Sequence, residues 1–347
     1  MSAPIGPIET AEYHTAGEPF RIVTSGVPTP EGATVLDRRG WAQHHLDDVR
    51  AFLVNEPRGH ADMYGGFVTP PDDDGGDIGV VFFHKDGFST ACGHGTIALA
   101  TWALDTGQVA PRPVAGSDRV ELVVDVPSGR LRVEADLDLD GRVAGVRFWN
   151  VDSFVTARAV PVATSRGPVT VDVSFGGAFY ASVALDDADL SPEAADLGPL
   201  IALARELRSG LEDHPAAKHD DPRLSGIYGV IFHQDTEPDR ADPTDGVAVR
   251  QRNVTVFADG EVDRSPCGSG TSARLAALVA AGRLGVGDRL ANHGVAGGTF
   301  DGRVEAIADT DDRAAVKTSV AGAAYATGHA RFDLDPRDPI GLGFQLR

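Results

Sequence analysis

Two short segments place the only two cysteines of the chain in the same glycine-rich frame. The first reads TACGHGTIALA over residues 90–100, and the second reads SPCGSGTSARLA over residues 265–276. The matching positions are Cys92/Cys267, Gly93/Gly268, Gly95/Gly270, Thr96/Thr271, Ala98/Ala273 and Gly107/Gly282. Six matches in one frame indicate an internal duplication. Because the repeat is too long for a solenoid, it predicts two related domains facing each other.

The hydrophobic pattern predicts the same order of elements in each half. In the first half, EPFRIVTSG and DIGVVFFHKDG alternate as strands, and a helix runs from about Trp41 to Asn55. An apolar helix, TIALATWALDTG, follows the cysteine and ends with Gly107 at its C′ position. A strand-rich meander completes this half. The pattern predicts an α+β domain over residues 1–165.

The second half restarts near residue 165. GPVTVDVSFGGAFYASVAL predicts a strand pair, and a capping-box-like start at Ser191 and Glu193 precedes a long amphipathic helix. Further strands lead to the second cysteine and to an apolar helix that ends at Gly282. We predict a second domain over residues 166–324, with the last strands, 325–347, packing back on the first domain. The connection near residue 165 is a candidate hinge.

Composition excludes several classes of partner. The chain has 347 residues and a net charge of −20, which argues against nucleic acid and anionic membranes. No apolar run approaches the length of a membrane span, and the N-terminus lacks a signal-peptide pattern. Two cysteines without CxxC spacing predict neither a zinc site nor a disulfide framework. We therefore expect a cytoplasmic protein with reduced thiols and no bound metal.

The frame supports a specific acid–base chemistry. Each cysteine is predicted to precede a helix directly, where the helix dipole should lower the pKa of the thiol. Glycine-flanked backbone N–H groups at a helix start can hold a carboxylate. Two such thiols on opposite faces of an α-carbon could exchange its proton without a cofactor, with the N–H donors stabilising the enolate charge.

Other interpretations of the frame are weaker. GHGTIA and GSGTSA match the dinucleotide fingerprint G-x-G-x-x-A, but the acidic residue expected about 20 positions later is missing from a suitable strand end. A single buried cysteine usually only fills space, yet two at duplicated helix starts favour a site. A pyridoxal-phosphate enzyme needs a Schiff-base lysine, and Lys85, Lys218 and Lys317 have no supporting context.

The chain resembles the proline racemase family, which includes proline racemases, 4-hydroxyproline 2-epimerases and trans-3-hydroxy-L-proline dehydratases. The resemblance rests on STACGHGTIA and DRSPCGSGTSAR, and it extends to EYHTAGEPFRIV, GHADMYGGFVTPP, VSFGGAFYA and AYATGHARFDLDPRDPIG. It implies a diaminopimelate-epimerase-like fold: two pseudo-symmetric α/β domains, each with a curved, mostly antiparallel sheet around a central helix. The substrate would lie between the domains.

The resemblance also implies roles for individual residues. Cys92 and Cys267 would be the two acid/base groups. The backbone amides of Gly93, His94, Gly268 and Ser269 would hold the substrate carboxylate. His94 and Asp263 would contact the ring nitrogen, and Phe257 would form an aromatic pocket wall. Tyr64 and Tyr180 either line the pocket or pack beside it. His60 and Asp62 are expected to support their loop, and His214, His219 and His233 to lie at the surface or pack.

The reaction depends on the second thiol. Family dehydratases commonly have Thr where this chain has Cys267, so two-base inversion of proline or hydroxyproline is the favoured reaction. ADMYGG and SFGGAFYA resemble the proline racemase and 3-hydroxyproline dehydratase branches more closely, which keeps dehydration of trans-3-hydroxy-L-proline as the alternative. A catalytically silent imino-acid-binding protein is a remote third possibility. The family also suggests a homodimer.

Overall fold

The structure is a computed structural model that describes residues 6–185, 189–236, 246–309 and 314–346. The chain divides into two compact units: unit 1 comprises residues 1–148 and 323–347, and unit 2 comprises residues 149–322. The composition of the acidic run DTDDR predicts a solvated loop, and its residues 310–313 lie outside the described ranges. Within those ranges, every helix is too short or too polar to cross a membrane.

Unit 1 begins with a strand pair, followed by two helices and a sheet that surrounds a third helix. Its elements before the boundary are β1 (Ile8–Thr15), β2 (Glu18–Ser25), α1 (Val35–His45), α2 (Asp47–Val54), β3 (Tyr64–Thr69), β4 (Ile78–His84), β5 (Gly87–Phe88), α3 (Gly93–Asp105), β6 (Arg112–Pro113), β7 (Val120–Val126), β8 (Gly129–Leu137) and β9 (Val143–Trp149).

Unit 2 repeats this order with one crossover helix in place of two. Its elements are β10 (Phe154–Thr164), β11 (Gly167–Phe175), β12 (Phe179–Ala184), α4 (Leu197–Gly210), β13 (Ile227–Asp235), β14 (Val249–Phe257), β15 (Glu261–Asp263), α5 (Gly268–Ala280), β16 (Arg289–His293), β17 (Thr299–Asp309) and β18 (Ala314–Gly322). The last strand, β19 (Ala324–Phe332), belongs to unit 1 and pairs antiparallel with β1.

Strand pairing shows the duplication directly. In unit 1, β2 runs parallel to β3, β3 antiparallel to β4, β4 parallel to β7 and β7 antiparallel to β8. In unit 2, β12 runs parallel to β13, β13 antiparallel to β14, β14 parallel to β16 and β16 antiparallel to β17. The two units therefore have the same topology, and each is a mixed, largely antiparallel sheet.

A buried helix lies at the centre of each unit. Every residue of α3 from Gly93 to Ala103 is buried, as is every residue of α5 from Gly268 to Leu278. Helix α3 contacts β1, β2, β3, β7, β8 and β19, while α5 contacts β10, β11, β12, β17 and β18. Because strands from distant parts of each sheet meet one helix, each sheet must curve around it. The predicted α+β fold with a central helix is confirmed.

Both central helices also end as predicted. Gly107 and Gly282 occupy the C′ positions with φ of 69° and 70°, a region that only glycine enters without strain. The amide of Gln108 donates to Ala103, and that of Arg283 donates to Leu278, which closes a Schellman motif in each case.

Two local predictions are wrong in detail. The helix predicted from about Trp41 begins at Val35, because Thr34 and Asp37 form a capping box, and it breaks at Leu46, which leaves the helical region.

Ser191 does not cap α4. Its amide and hydroxyl both bind the carboxylate of Asp196 at 2.8 Å, and the helix begins only at Leu197.

The predicted connection near residue 165 lies in the turn between β10 and β11. These strands pair antiparallel from Phe154↔Phe175 to Thr164↔Gly167, so this position is part of a hairpin of unit 2. The boundary between the compact units lies at 148/149.

Candidate active site

Cys92 occupies the N-cap position of α3 in unit 1. Its Sγ accepts the N–H of Gly95 at 3.2 Å and lies 3.5 Å from the nearest ring nitrogens of His94. The thiol is 5% exposed. The sulfur of Cys92 thus accepts one of the amides that have no intrahelical partner at the start of α3. It does so next to the imidazole of His94.

His94 is held by aromatic rings. Its imidazole packs edge-to-face on Phe20 and Tyr64, with ring centroids 5.9 and 4.9 Å apart. Its backbone carbonyl accepts the hydroxyl of Thr15 at 2.9 Å. Burial lowers the pKa of His94 to about 3, so the ring is neutral at physiological pH. A neutral imidazole can accept a hydrogen bond from a cationic ring nitrogen, which is the role that the family resemblance implies.

Tyr64 lies beneath His94. Its ring is buried, and its hydroxyl is hydrogen-bonded to the hydroxyl of Ser89, the residue that opens the STACGH motif. The predicted support of the preceding loop is also present, since the amide of Asp62 donates to Nδ1 of His60 at 3.2 Å. Tyr64 therefore orients the imidazole through its ring, whereas its polar end is bound to Ser89.

Cys267 occupies the N-cap position of α5 in unit 2 with a different backbone. Its φ is 63° and its ψ is 104°, an unfavourable combination for a residue with a Cβ. Its amide donates to Oγ of Ser265 at 3.1 Å, and its Sγ lies 3.6 Å from the hydroxyl of Tyr180. The strain and the surrounding hydrogen bonds together fix the direction of the thiol.

The predicted lowering of the thiol pKa is wrong for Cys267. Burial, reinforced by the charge of Asp263, raises the pKa of Cys267 to about 12. Hydrogen bonds from Tyr180, Gly270 and Thr255 act in the opposite direction but are outweighed. The helix dipole is worth at most about 2 kcal/mol, which is less than the cost of burying a thiolate beside a carboxylate. Cys267 is therefore a thiol at neutral pH in the ligand-free protein.

Asp263 ends β15 beside this thiol. It is 4% exposed, and it accepts the amide of Ser265 at 2.8 Å as well as a hydrogen bond from Cys267. Burial raises the pKa of Asp263 to about 6. A buried carboxylate with a raised pKa is poised to receive a cationic group, because a positive charge would offset its desolvation.

Tyr180 and Ser269 lie beside Cys267 in the same unit, and Phe257 is connected to them through Tyr228. The hydroxyls of Tyr180 and Ser269 are hydrogen-bonded at 2.7 Å. Tyr228 packs edge-to-face on Tyr180 at 5.8 Å and stacks on Phe257 at 5.5 Å. Tyr228 was not singled out from the sequence; its place on β13, beside β12 and β14, brings it between the other two aromatic rings.

The segment before Cys267 is held by two asparagines that sequence reasoning also missed. The carbonyl of Pro266 accepts Nδ2 of Asn253 at 2.9 Å and Nδ2 of Asn292 at 3.2 Å. Both asparagines are buried in strands. The sequence signal for such a residue is an asparagine within an otherwise apolar strand, because a buried side-chain amide needs a hydrogen-bond partner.

The remaining positions of the duplicated frame have matching structural roles. The hydroxyls of Thr96 and Thr271 bind the carbonyls of Cys92 and Cys267, each at 2.8 Å. A Cβ added at Gly95 would lie 2.7 Å from the Cys92 sulfur, and one added at Gly270 would lie 2.8 Å from the Cys267 sulfur. The frame therefore encodes a helix start that leaves room for a thiol.

Comparison with known proteins agrees with this arrangement. The family model described as proline racemase matches residues 10–345. A protein named trans-3-hydroxy-L-proline dehydratase, from Bacillus cereus, is 41% identical over 97% of both chains. One named 3-hydroxyproline 2-epimerase, from Burkholderia multivorans, is 42% identical over 98% of both. A solved hydroxyproline epimerase from Agrobacterium vitis, with bound trans-4-hydroxy-L-proline, superimposes with a TM-score of 0.86 at 28% identity, covering 98% of this chain and 95% of that one. The chain belongs to the proline racemase family, whose named members are enzymes.

Proposed function

We propose that this protein is a cofactor-independent racemase or 2-epimerase of proline or hydroxyproline. Cys92 and Cys267 would exchange the Cα proton on opposite faces of the substrate. The observation that carries the proposal is the repetition of a buried thiol at the N-cap of a fully buried central helix, once in each unit. A reaction with a single base would need one such thiol, whereas inversion at Cα needs two, one on each face of the carbon.

The helix starts supply the carboxylate site. The first turn of a helix has amides without intrahelical partners and carries the positive end of the helix dipole. The amides of Gly93 and His94 would contribute from α3, and those of Gly268 and Ser269 from α5. The same donors would stabilise the enolate that forms when the Cα proton leaves, which is the most demanding step without a cofactor.

The ring nitrogen would bind beside His94 and Asp263. The raised pKa of Asp263 and the neutral imidazole of His94 both favour a cationic imino group as ligand. Binding of that cation would also lower the pKa of the Cys267 thiol, because it compensates the charge of Asp263. Cys267 would thus serve as the acid in one direction and, once the substrate is bound, as the base in the other.

A second reaction, dehydration of trans-3-hydroxy-L-proline, is favoured by the name of the Bacillus cereus relative. In that reaction one thiolate takes the Cα proton and the neighbouring carbon loses its hydroxyl as water, leaving pyrroline-2-carboxylate. The hydroxyl needs a proton from an acid, which Cys267 could supply. The two-cysteine arrangement ranks this reaction second, since the family dehydratases commonly carry Thr at that position.

The test is to incubate the purified protein in deuterated water with L-proline, trans-4-hydroxy-L-proline or trans-3-hydroxy-L-proline. Deuterium at Cα together with the opposite configuration at that carbon, measured by mass spectrometry and chiral chromatography, supports the proposal. Loss of water and formation of pyrroline-2-carboxylate supports the second reaction. Absence of both with every substrate overturns the enzymatic assignment for these substrates.

Conservative variants separate the two reactions. Cys92→Ser and Cys267→Ser should each abolish inversion. A hydroxyl is a much weaker acid than a thiol, so it loses its proton to become a base less readily. Cys267→Ser with retained dehydration would assign the second reaction. Inversion at the wild-type rate in Cys267→Ser would break the two-base proposal.

A further inference from the structure

A polar cleft lies in unit 2 beside the far end of α5. It has a volume of about 410 Å³ and lies against β11, β12 and β13. Its polar lining includes Asp172, Ser182, His233, Arg274 and Arg283. The helix rises 1.5 Å per residue, so Arg274 lies about 10 Å and the end of α5 about 20 Å along the helix from Cys267. The cleft is therefore separate from the candidate active site.

Two buried side chains that line this cleft have polar atoms without partners in the described part of the chain. These atoms are Nδ1 of His233 and Oγ of Ser182, in residues that are 8% and 4% exposed. A buried polar group without a hydrogen bond costs about 1–3 kcal/mol. Such groups are rare in folded proteins, and one common reason is a missing ligand.

The two arginines of the cleft are linked through Gln251 and Asp235. Nε of Arg274 lies 3.4 Å from Oε1 of Gln251, and Nε2 of Gln251 donates to Asp235 at 2.7 Å. Asp235 also forms an ion pair with Arg283 at 2.5 Å. Gln251 is fully buried. Both guanidinium groups are thus held at the cleft rather than left to move freely in solvent.

Charge indicates the class of ligand. Arg274 and Arg283 line the cleft, whereas the whole chain carries a net charge of −20. Among the described lining residues the acidic side chain is Asp172, so the lining has two guanidinium groups and one carboxylate, while Asp235, which pairs with Arg283, lies outside the lining. Burial, and then the charges of Arg274 and Arg283, hold the pKa of His233 well below its usual range. A bound anion would compensate the two guanidinium charges that act on His233.

We propose that this cleft binds a small ligand through an oxyanion, a carboxylate or a phosphate, held by Arg274, Arg283 and His233. The hydroxyl of Ser182 would supply a further hydrogen bond. Arginine suits this task because its planar fork matches the oxygens of both groups. The site is independent of the proposed reaction, since its lining residues differ from those proposed for that reaction and belong to one unit.

The experiment is a nuclear magnetic resonance titration of the full-length protein with ¹³C-labelled histidine. Inorganic phosphate and acetate are the probes, with chloride at matched ionic strength as reference. The His233 signal is assigned by its loss in His233→Gln. We expect a saturable shift of that signal with phosphate, acetate or both; a response to phosphate alone identifies a phosphate-bearing ligand, and a response to acetate a carboxylate.

Arg283→Gln should weaken this binding about tenfold, the usual loss when a charged hydrogen bond is removed. The matched control is Arg205→Gln, which removes a similarly exposed arginine of the same unit, paired with Asp259 at 2.9 Å, and should leave the titration unchanged. Ser182→Val keeps both arginines and should block the cleft sterically. A His233 signal that does not shift, or that shifts equally in Arg283→Gln and Ser182→Val, overturns the proposal.

Discussion

The candidate half-sites of unit 1 and unit 2 share a backbone but differ in their polar groups. Both place a buried cysteine at a helix N-cap, a threonine hydroxyl 2.8 Å from its carbonyl, and a glycine C′ residue near φ 70°. These shared features form the start of each helix and fix the position of each thiol. The duplication has therefore preserved the parts that place a thiol at the start of a buried helix.

The differences concern the environment of each thiol. The residue two positions after the cysteine is His94 in unit 1 and Ser269 in unit 2. Its neighbour is Phe20 on β2 in unit 1 and Tyr180 on β12 in unit 2. Cys92 has an extended backbone, whereas Cys267 has a φ of 63° and lies beside Asp263. Burial and the charge of Asp263 therefore set the protonation of the Cys267 thiol in unit 2.

The largest expected effect tests the shared part of this comparison. Gly95→Ala and Gly270→Ala would each place a Cβ within 2.8 Å of the adjacent sulfur and displace it. We expect kcat/KM for inversion to fall at least about 100-fold in both variants, since misplacement by about 1 Å has this cost. The controls are Gly107→Ala and Gly282→Ala, which should lose about 1 kcal/mol of stability but keep activity. A tolerated alanine in only one half-site would show that the two frames are not equivalent.

The next effect tests the carboxylate that belongs to unit 2. In wild type, kcat/KM should fall as pH drops through about 6, because Asp263 is protonated there. Asp263→Asn should be poorly active at every pH and should lack this limb. A wild-type profile that is flat through this range would remove Asp263 from substrate binding.

The same variant gives a stability test with a defined sign. The folded-state pKa of Asp263, about 6, lies above its ordinary value of 3.8, so the folded state binds the proton more tightly. Protonated Asp263 therefore contributes to the free energy of unfolding. This contribution is fully present below pH 3.8 and is lost as pH rises through about 6. Urea unfolding of wild type should therefore lose stability relative to Asp263→Asn across this window.

A smaller effect tests the hydroxyl that distinguishes Tyr180 from Phe20. Tyr180→Phe removes the hydrogen bonds to Ser269 and Cys267 and makes this position resemble unit 1. Because that hydroxyl favours the thiolate, its loss should raise the pKa of Cys267 further and reduce kcat about tenfold, a typical cost of one hydrogen bond to a charged group. The pH profile of kcat should move to higher pH; an unchanged profile would limit Tyr180 to packing.

The smallest effect returns to the shared frame. Thr96→Val removes one hydrogen bond to the carbonyl of Cys92, which still accepts the backbone amide of the same residue. Thr271→Val removes the equivalent bond to Cys267 and also the bond that Nδ2 of Asn292 donates to the threonine hydroxyl at 2.9 Å. Thr96→Val should cost about 1 kcal/mol in thermal or urea unfolding, and Thr271→Val about 2 kcal/mol. Thr101→Val, which loses an equivalent bond to Ile97 at 2.9 Å, is the control for stability without any contact to the thiol backbone. Equal losses in Thr96→Val and Thr271→Val would show that the bond from Asn292 does not stabilise the second helix start.

The sequence by itself determined the duplication, both helix ends and the positions of the thiols. These features depend on local requirements: a glycine at φ near 70°, space for a sulfur, and a threonine that reaches back four residues. Local requirements leave a residue pattern that can be read in order along the chain. The helix starting at Val35 was predicted too late, because the hydrophobic pattern was read without the capping box at Thr34.

Only the tertiary structure decided the protonation of Cys267 and the groups that surround it. A helix dipole predicts a low thiol pKa, but desolvation and Asp263 raise it, and both depend on segments that pack around the helix start. Tyr228 and Asn253 reach this region from separate strands, so no spacing in the sequence indicates them. Tyr180 is indicated only by the family resemblance. Burial is a property of the whole packed unit, and for that reason it could not be read from the cysteine motif alone.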